Sequence, residues 1–319
     1  MKLVILERDT YGNDIDFDAL EALVDEVVAY PVTAQEDVAR RVQDADFVLV
    51  NKLLMQKSSL SEAKNLKLLL EGATGYNNID LDYVRSRGLG AANVAGYSVQ
   101  IVPQHTFALY LSLSEHIAHF DHYVKSGAYS RSGVFSHFMP GFTELEGKTW
   151  GIVGLGNIGK RVARIAEAFG CRVIYYSTSG RNNNPDYAQV DFDTLLKESD
   201  VVSIHAPLNT DTKGLFNAAA FAKMKPSAVL INVGRGPIVD EPALVDALNN
   251  GQIAGAGLDV METEPLPADS PLFNVKDPDK LLMTPHMAWA SVEARQRLVN
   301  EVALNLKAFL RGERRNRVD

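Results

Sequence analysis

The sequence predicts an α/β protein of two doubly wound parallel-sheet domains, one inserted into the other and linked by two long helices. Three observations carry that prediction. Short apolar, β-branched runs alternate with longer segments of helical period, the pattern of parallel strands covered by helices on both faces. The alternation comes in two blocks, one before residue 100 and a stronger one after residue 148. A long helical stretch stands at each end of the second block. With 319 residues, 46% hydrophobic and 23% charged, the chain is long enough for two domains, each with its own core.

In the first block, residues 2–6, 47–50, 66–70 and 91–94 are strand candidates, separated by helix-like stretches such as 16–27. The longest uninterrupted helical candidate follows at about 101–125. Pro103 suits its first turn and Gly127 stands just past its end. Residues 149–153, 172–176, 201–205, 228–233, 256–260 and 281–284 supply six further strands. A closing helix over 291–310 places Val292, Leu298, Val299, Val302, Leu306 and Phe309 at helical spacing, with Gly312 after it. Residues 1–100 together with 287–319 are therefore expected to form one domain, and 101–286 the inserted one.

Composition narrows the function classes. The net charge is −8, from 32 Lys and Arg against 40 Asp and Glu, a poor match for nucleic acid or anionic lipid. The one basic cluster, Arg311, Arg314, Arg315 and Arg317, reads as a solvated tail. No apolar stretch approaches the ~18 residues that span a bilayer, and the opening apolar run is too short for a signal peptide. The single cysteine, Cys171, fits a reducing compartment. The expectation is a cytoplasmic protein with no nucleic-acid or membrane partner.

Residues 149–159 contain Gly154-x-Gly156-x-x-Gly159. The motif follows an apolar strand and opens a helix whose Ile158, Val162, Ile165 and Phe169 share a face. A second strand follows at 172–176. That context is the dinucleotide-binding fingerprint. Gly154 allows a tight turn, Gly156 lets backbone approach a pyrophosphate, and Gly159 lets helix and strand pack closely. Phosphates would meet free N–H groups at the helix start, where Asn157 and Ile158 lie. The second strand, however, ends in Ser177-Thr178, with Ser177 where an acidic residue is usual and Arg181 close behind. A carboxylate there would repel a 2′-phosphate; hydroxyls and an arginine do not. The cofactor is thus NAD or NADP, with a lean to NADP.

Three further strands end in polar residues on the edge where open α/β sheets bind ligands. Residues 228–233 lead into Gly234-Arg235-Gly236, residues 256–260 into the loop bearing Glu264, and residues 281–284 into Pro285-His286. An Arg, a Glu and a His so placed can converge on one cleft.

Together with Gly72-Ala73-Thr74-Gly75-Tyr76-Asn77-Asn78-Ile79-Asp80, Asn93-Val94-Ala95-Gly96-Tyr97-Ser98 and His205-Ala206-Pro207-Leu208, these segments resemble the D-isomer-specific 2-hydroxyacid dehydrogenase family over essentially the whole chain. The resemblance implies a flavodoxin-like substrate domain with an inserted Rossmann dinucleotide-binding domain. It also implies a homodimer that moves a hydride between NAD(P)H and a small 2-oxoacid. His286 would be the general acid, and Glu264 would hydrogen-bond the imidazole and favour its protonated form. Arg235 would hold the substrate carboxylate. The backbone amides around Thr74 and Gly75 would add a second carboxylate contact from the other domain. Asn51 and Lys52, after the strand at 47–50, are further substrate candidates. His205, Ala206, Pro207, Val233, Gly234 and Asp259 would line the cofactor cleft beside His286.

Within the family, Asn51-Lys52 and Ala95-Gly96-Tyr97-Ser98 look most like glycerate dehydrogenases, which reduce hydroxypyruvate and glyoxylate. A D-lactate-type or other 2-oxoacid reductase is the alternative, as is a nucleotide-sensing, corepressor-like binding protein. His116, His119 and His122 fall three apart, but no further ligand completes a metal site, so no metal is expected. His137-Phe138-Met139 would cap the site or a neighbouring subunit.

Overall fold

The computed structural model describes residues 1–181 and 183–319, and the chain divides into two compact units. One comprises Met1–Ser98 with Ala290–Asp319, the other Val99–Trp289.

The first unit holds a five-stranded sheet of β1 (Lys2–Ile5), β2 (Glu26–Ala29), β3 (Phe47–Val50), β4 (Leu68–Glu71) and β5 (Gly90–Ala92). Its order is β2-β1-β3-β4-β5, and every pair is parallel. Strand order reverses between β1 and β3, so the loops leaving those two strands flank the crevice where such sheets bind ligands. Every residue of β3 and β4 is buried, as continuous apolar runs covered on both faces require. The C-terminal helix Val292–Leu310 starts under the Ser291 hydroxyl, which accepts the Ala294 amide at 3.3 Å. It buries Leu298, Val299, Val302 and Leu306, and Phe309 meets Phe47 edge-on at 6.1 Å.

Two expectations fail in this unit. The helix over 16–27 is one turn, Asp18–Glu21, followed by β2. The β-branched pair Val27-Val28 lies beside β1, and ladder bonds there satisfy a backbone that an isolated helix would leave half exposed. The basic tail is only partly solvated: Arg311 and Arg314 are exposed, whereas Arg315 and Arg317 are half-buried. Arg317 forms an antiparallel bridge with Ala92, the Val318 amide donates to Ala91 O at 2.9 Å, and Arg317 pairs with Asp319 at 2.5 Å. An open strand edge at β5 offers unpaired backbone groups, and the tail takes them.

The second unit has seven parallel strands: β6 (Thr149–Val153), β7 (Arg172–Tyr176), β8 (Ala188–Gln189), β9 (Val201–Ile204), β10 (Val229–Asn232), β11 (Gly255–Leu258) and β12 (Leu281–Met283). Their order is β12-β11-β10-β9-β6-β7-β8, so the reversal falls between β6 and β9. The predicted continuous helix over 101–125 is in fact two, Ile101–Ser114 and Ile117–Lys125, parted at His116 with φ 52. The first buries Phe107 and Tyr110 against Trp150, with ring centroids 4.5 and 5.2 Å away, while the second buries no residue. The axis changes where the core stops holding it. Among the described residues no helix is long and apolar enough to cross a membrane.

Candidate active site

The glycine loop leaves β6 with Gly154 at φ +93, a conformation that L side chains rarely adopt. A Cβ there would also sit 2.8 Å from the Ala206 amide, so the loop after β6 lies directly against the segment after β9. At Gly159 a Cβ would overlap the Gly154 carbonyl, whereas at Gly156 it would meet open space. The helix Asn157–Ala168 begins here, so the amides of its first turn, including Asn157 and Ile158, have no intrahelical acceptor. Among the described residues the Leu155 and Gly156 amides also have none. A concentration of unfilled N–H groups at a helix start is a cradle for a pyrophosphate.

Ser177, just past β7, is buried and its hydroxyl has no partner among the described residues; Thr178 is half-buried and Arg181 exposed. His205 Nε2 lies 3.0 Å from Ser203 Oγ, which accepts the Trp150 indole N–H at 2.9 Å. Burial pushes the His205 pKa down to about 3, so the ring is neutral and serves as a wall rather than an acid. Ala206 is buried beside it, and the Pro207 carbonyl accepts the Thr212 hydroxyl at 2.7 Å.

On the same unit, Asn232 at the end of β10 shapes the turn that follows Val233. Its Oδ1 accepts the Gly234 amide and its Nδ2 donates to the Arg235 carbonyl, both at 3.0 Å. The Arg235 guanidinium donates to Gly234 O at 2.8 Å and, among the described residues, forms no ion pair. Glu264 accepts the Met261 amide at 3.0 Å through Oε1, and its Oε2 lies 2.6 Å from His286 Nδ1. The imidazole therefore keeps Nε2 for a reacting group.

His286 has φ 52, a costly conformation for a non-glycine residue, and Asp259 holds it there. Asp259 Oδ1 accepts the Thr284 hydroxyl at 2.6 Å and the Met287 amide at 2.8 Å; Oδ2 accepts the Ala288 amide at 2.8 Å. The His286 amide itself donates to the Asp259 carbonyl at 2.8 Å. His105 completes this knot, its Nε2 3.0 Å from Thr284 Oγ1 and 3.5 Å from Asp259. Nothing in the sequence marks His105, because its partners lie far along the chain. Burial alone would raise the Asp259 pKa, but hydrogen bonds from His105, Thr284 and the two amides more than offset it and hold the carboxyl below its ordinary value.

Folding thus lowers the Asp259 pKa, so its contribution is complete above the unfolded carboxylate value and is lost as pH falls through the folded one. Asp259→Asn would set an amide NH2 against one of the two backbone N–H groups, that of Met287 or that of Ala288, because they bond to different carboxylate oxygens. We expect a loss of about 2–4 kcal/mol at pH 7, a drop of roughly 5–10 °C in Tm, that shrinks in acid. Melting curves at pH 7 and at about pH 3 and below, under the unfolded carboxylate value, check this.

In the first unit, Asn51 and Lys52 follow β3, and both of their amides donate to the buried carboxylate of Glu7. The loop after β4 is pinned through its acceptors and hydroxyl. Thr74 O accepts Asn93 Nδ2 at 2.7 Å, Thr74 Oγ1 donates to Val94 O at 2.9 Å, and Ala73 O accepts the Val94 amide. The Thr74 and Gly75 amides have no acceptor among the described residues, which suits a carboxylate. Glu71 ends β4 fully buried, and burial first, then the charge of Glu7, pushes its pKa well above the usual range against the pull of Asn78 and Lys52. Sequence patterns do not expose Glu7 or Glu71, since carboxylates at strand ends ordinarily face water.

A glycine-rich strand-to-helix turn at the switch point of a parallel sheet, with an Arg that forms no ion pair among the described residues and a Glu–His pair on loops of the same sheet, fits a dinucleotide-dependent oxidoreductase. The family model described as "D-isomer specific 2-hydroxyacid dehydrogenase, NAD binding domain" matches residues 107–288. A hydroxypyruvate reductase from Blautia hydrogenotrophica is 36% identical over 318 residues, 98% of each chain. A glycerate dehydrogenase from Methylorubrum extorquens is 37% identical over 284 residues, 89% of this chain and 88% of that one. Among solved structures, an acyclic imino acid reductase in complex with NADPH and D-Arg superposes with a TM-score of 0.88 at 30% identity, covering 100% of both chains. The chain belongs to the D-isomer-specific 2-hydroxyacid dehydrogenase family.

Proposed function

We propose that the enzyme reduces hydroxypyruvate, and the smaller glyoxylate, to the matching 2-hydroxyacid. The observation that carries this is the Glu264–His286 pair at 2.6 Å on the unit that also presents Arg235, which has no carboxylate partner among the described residues. A nicotinamide dinucleotide supplies the hydride when bound. Residues Gly154, Gly156, Asn157, Ile158 and Gly159 hold its pyrophosphate, and His205, Ala206, Pro207, Val233 and Gly234 wall its cleft. His286 Nε2 gives a proton to the carbonyl oxygen as it becomes an alkoxide, and takes it back in the oxidative direction. Glu264 faces the resulting charge change from Nδ1. Arg235 binds the substrate carboxylate and draws electron density from the carbonyl. On the first unit, Lys52 and the amides of Thr74 and Gly75 bind carboxylate.

The reading prefers NADP over NAD. Among the described residues the buried Ser177 hydroxyl lacks a partner, and position 177 itself carries no carboxylate to repel a 2′-phosphate. Steady-state assays with NADPH and NADH against hydroxypyruvate, glyoxylate, pyruvate and phenylpyruvate test both points. We expect the highest kcat/KM with hydroxypyruvate and NADPH, and Ser177→Asp should shift preference toward NADH by about 10-fold or more. A large preference for pyruvate would make the enzyme D-lactate-type. No turnover of any 2-oxoacid would leave the nucleotide-sensing role.

The segment after the short helix Ala128–Ser132 exposes Phe135, Phe138, Met139 and Phe142, with Phe135 93% accessible. His137 stacks on Tyr123 at 4.2 Å. So much apolar surface in one stretch marks an interface, and we assign it to a homodimer. Light scattering should report twice the 35.0 kDa chain mass, and Phe135→Ser combined with Phe138→Ser should return a monomer.

A further inference from the structure

Glu7 and Glu71 have no part in the roles above, yet both stand on the ligand edge of the first unit's sheet. Glu7 follows β1 and Glu71 ends β4, with β3 running between those strands. Burying a carboxylate is costly unless donors meet it. Glu7 is only 8% exposed and meets two. Its Oε2 accepts the Asn51 amide at 2.8 Å and the Lys52 amide at 3.0 Å, while Oε1 lies 3.2 Å from the latter. Consecutive amides at a strand end form an anion-binding pair, and here an internal carboxylate fills it. Asn78 braces the same turn, with Nδ2 donating to Leu53 O at 3.1 Å and to Glu71 at 2.9 Å, and its carbonyl accepting the Met55 amide at 2.8 Å. The turn that carries Lys52 is thus held from two sides, while the Thr74 and Gly75 amides have no acceptor among the described residues.

We propose that Glu7 is a positioning residue for substrate: by filling the amide pair after β3 it sets the direction of Lys52 and leaves Thr74 and Gly75 as the amide pair that receives the substrate carboxylate. This rests on the assignment of Lys52, Thr74 and Gly75 as substrate contacts. Glu7→Gln keeps the volume but turns an NH2 toward one of the two amides. Glu7→Asp keeps the charge.

The test uses the full chain with bound dinucleotide. In Glu7→Gln, KM for hydroxypyruvate should rise about 10-fold with kcat changed less than about 3-fold and dinucleotide affinity unchanged. Hydrogen exchange at the Asn51 and Lys52 amides should speed up by about 10-fold or more, and Glu7→Asp should restore part of both effects. Lys52→Ala should raise KM similarly, and adding Glu7→Gln to it should raise KM no further, because one change acts through the other. Additive effects would overturn the proposal, as would faster exchange with unchanged KM, which would make Glu7 a local brace only. If Glu7→Gln does not fold, the Glu7→Asp and Lys52→Ala cycle carries the same comparison. A failure of the functional reading shows separately, as wild-type enzyme that reduces no 2-oxoacid. Oxalate binding by calorimetry then decides: weaker binding in Glu7→Gln supports the positioning role, and equal binding ends it.

Discussion

Replacing His286 by alanine is expected to lower kcat for 2-oxoacid reduction by about 10²- to 10⁴-fold and to leave dinucleotide affinity nearly unchanged. The carbonyl oxygen becomes an alkoxide as hydride arrives, and without a donor in reach that charge develops unneutralised. The backbone geometry makes the loss specific to the ring. Residue 286 is held at φ 52 by its amide bond to the Asp259 carbonyl and by the amides of Met287 and Ala288 on the Asp259 carboxylate, none of which an alanine removes. Glu264→Gln separates proton donation from placement. A glutamine can still accept the Met261 amide through oxygen and donate through nitrogen to His286 Nδ1, so the ring stays in place with a proton on Nε2 but loses its counter-charge. We expect kcat for reduction to fall by about 10- to 100-fold. Single-turnover rates of NAD(P)H oxidation across pH, with dinucleotide affinity measured by fluorescence, check both variants. A His286→Ala enzyme with normal turnover would end the assignment of the general acid.

The parts of this site that sequence reveals are those whose chemistry forces a local pattern. Gly154 and Gly159 are legible because a strand, a tight turn and a helix start within eleven residues admit little else. Arg235, Glu264 and His286 are legible because each stands in the loop that leaves an apolar strand, within a few residues of its end. What supports them is not legible. His105 braces Thr284 and Asp259 from a helix far away in the chain, and Glu7 holds Asn51 and Lys52 across the sheet. Such partners are chosen by tertiary packing, and a lone His or Glu carries no periodicity that names them. The same holds for elements. β2 was hidden in a stretch of helical spacing until its pairing with β1 decided it. The break at His116 has no Gly or Pro to announce it and follows only from where burial ends. The arginine-rich tail misleads for a related reason: composition speaks for solvent, but an open strand edge speaks for pairing, and the edge wins.

Arg235→Lys is the second large effect. Lysine conserves the charge, so a purely electrostatic role would survive it with little loss. The structure gives reasons to expect otherwise. Asn232 clamps the turn through the Gly234 amide and the Arg235 carbonyl, and a Cβ on Gly236 would overlap the Met261 carbonyl, so the backbone cannot shift to bring a differently shaped head group into place. One guanidinium nitrogen is already committed to Gly234 O at 2.8 Å. That bond fixes the plane of the group and leaves its other N–H groups as a fork for a planar carboxylate and the adjoining carbonyl oxygen. An ammonium offers no such plane and must choose between the Gly234 carbonyl and the substrate. We expect kcat/KM to fall by about 100-fold, roughly 3 kcal/mol. The loss should fall on kcat as well as KM, because the same fork that binds the carboxylate polarises the carbonyl as charge builds. Steady-state kinetics with hydroxypyruvate, together with oxalate as a carboxylate probe of ground-state binding, separate the two contributions. A Lys variant within a few-fold of wild type would show that Arg235 acts as a charge alone, and the planar recognition argued from the Asn232 clamp would fall with it.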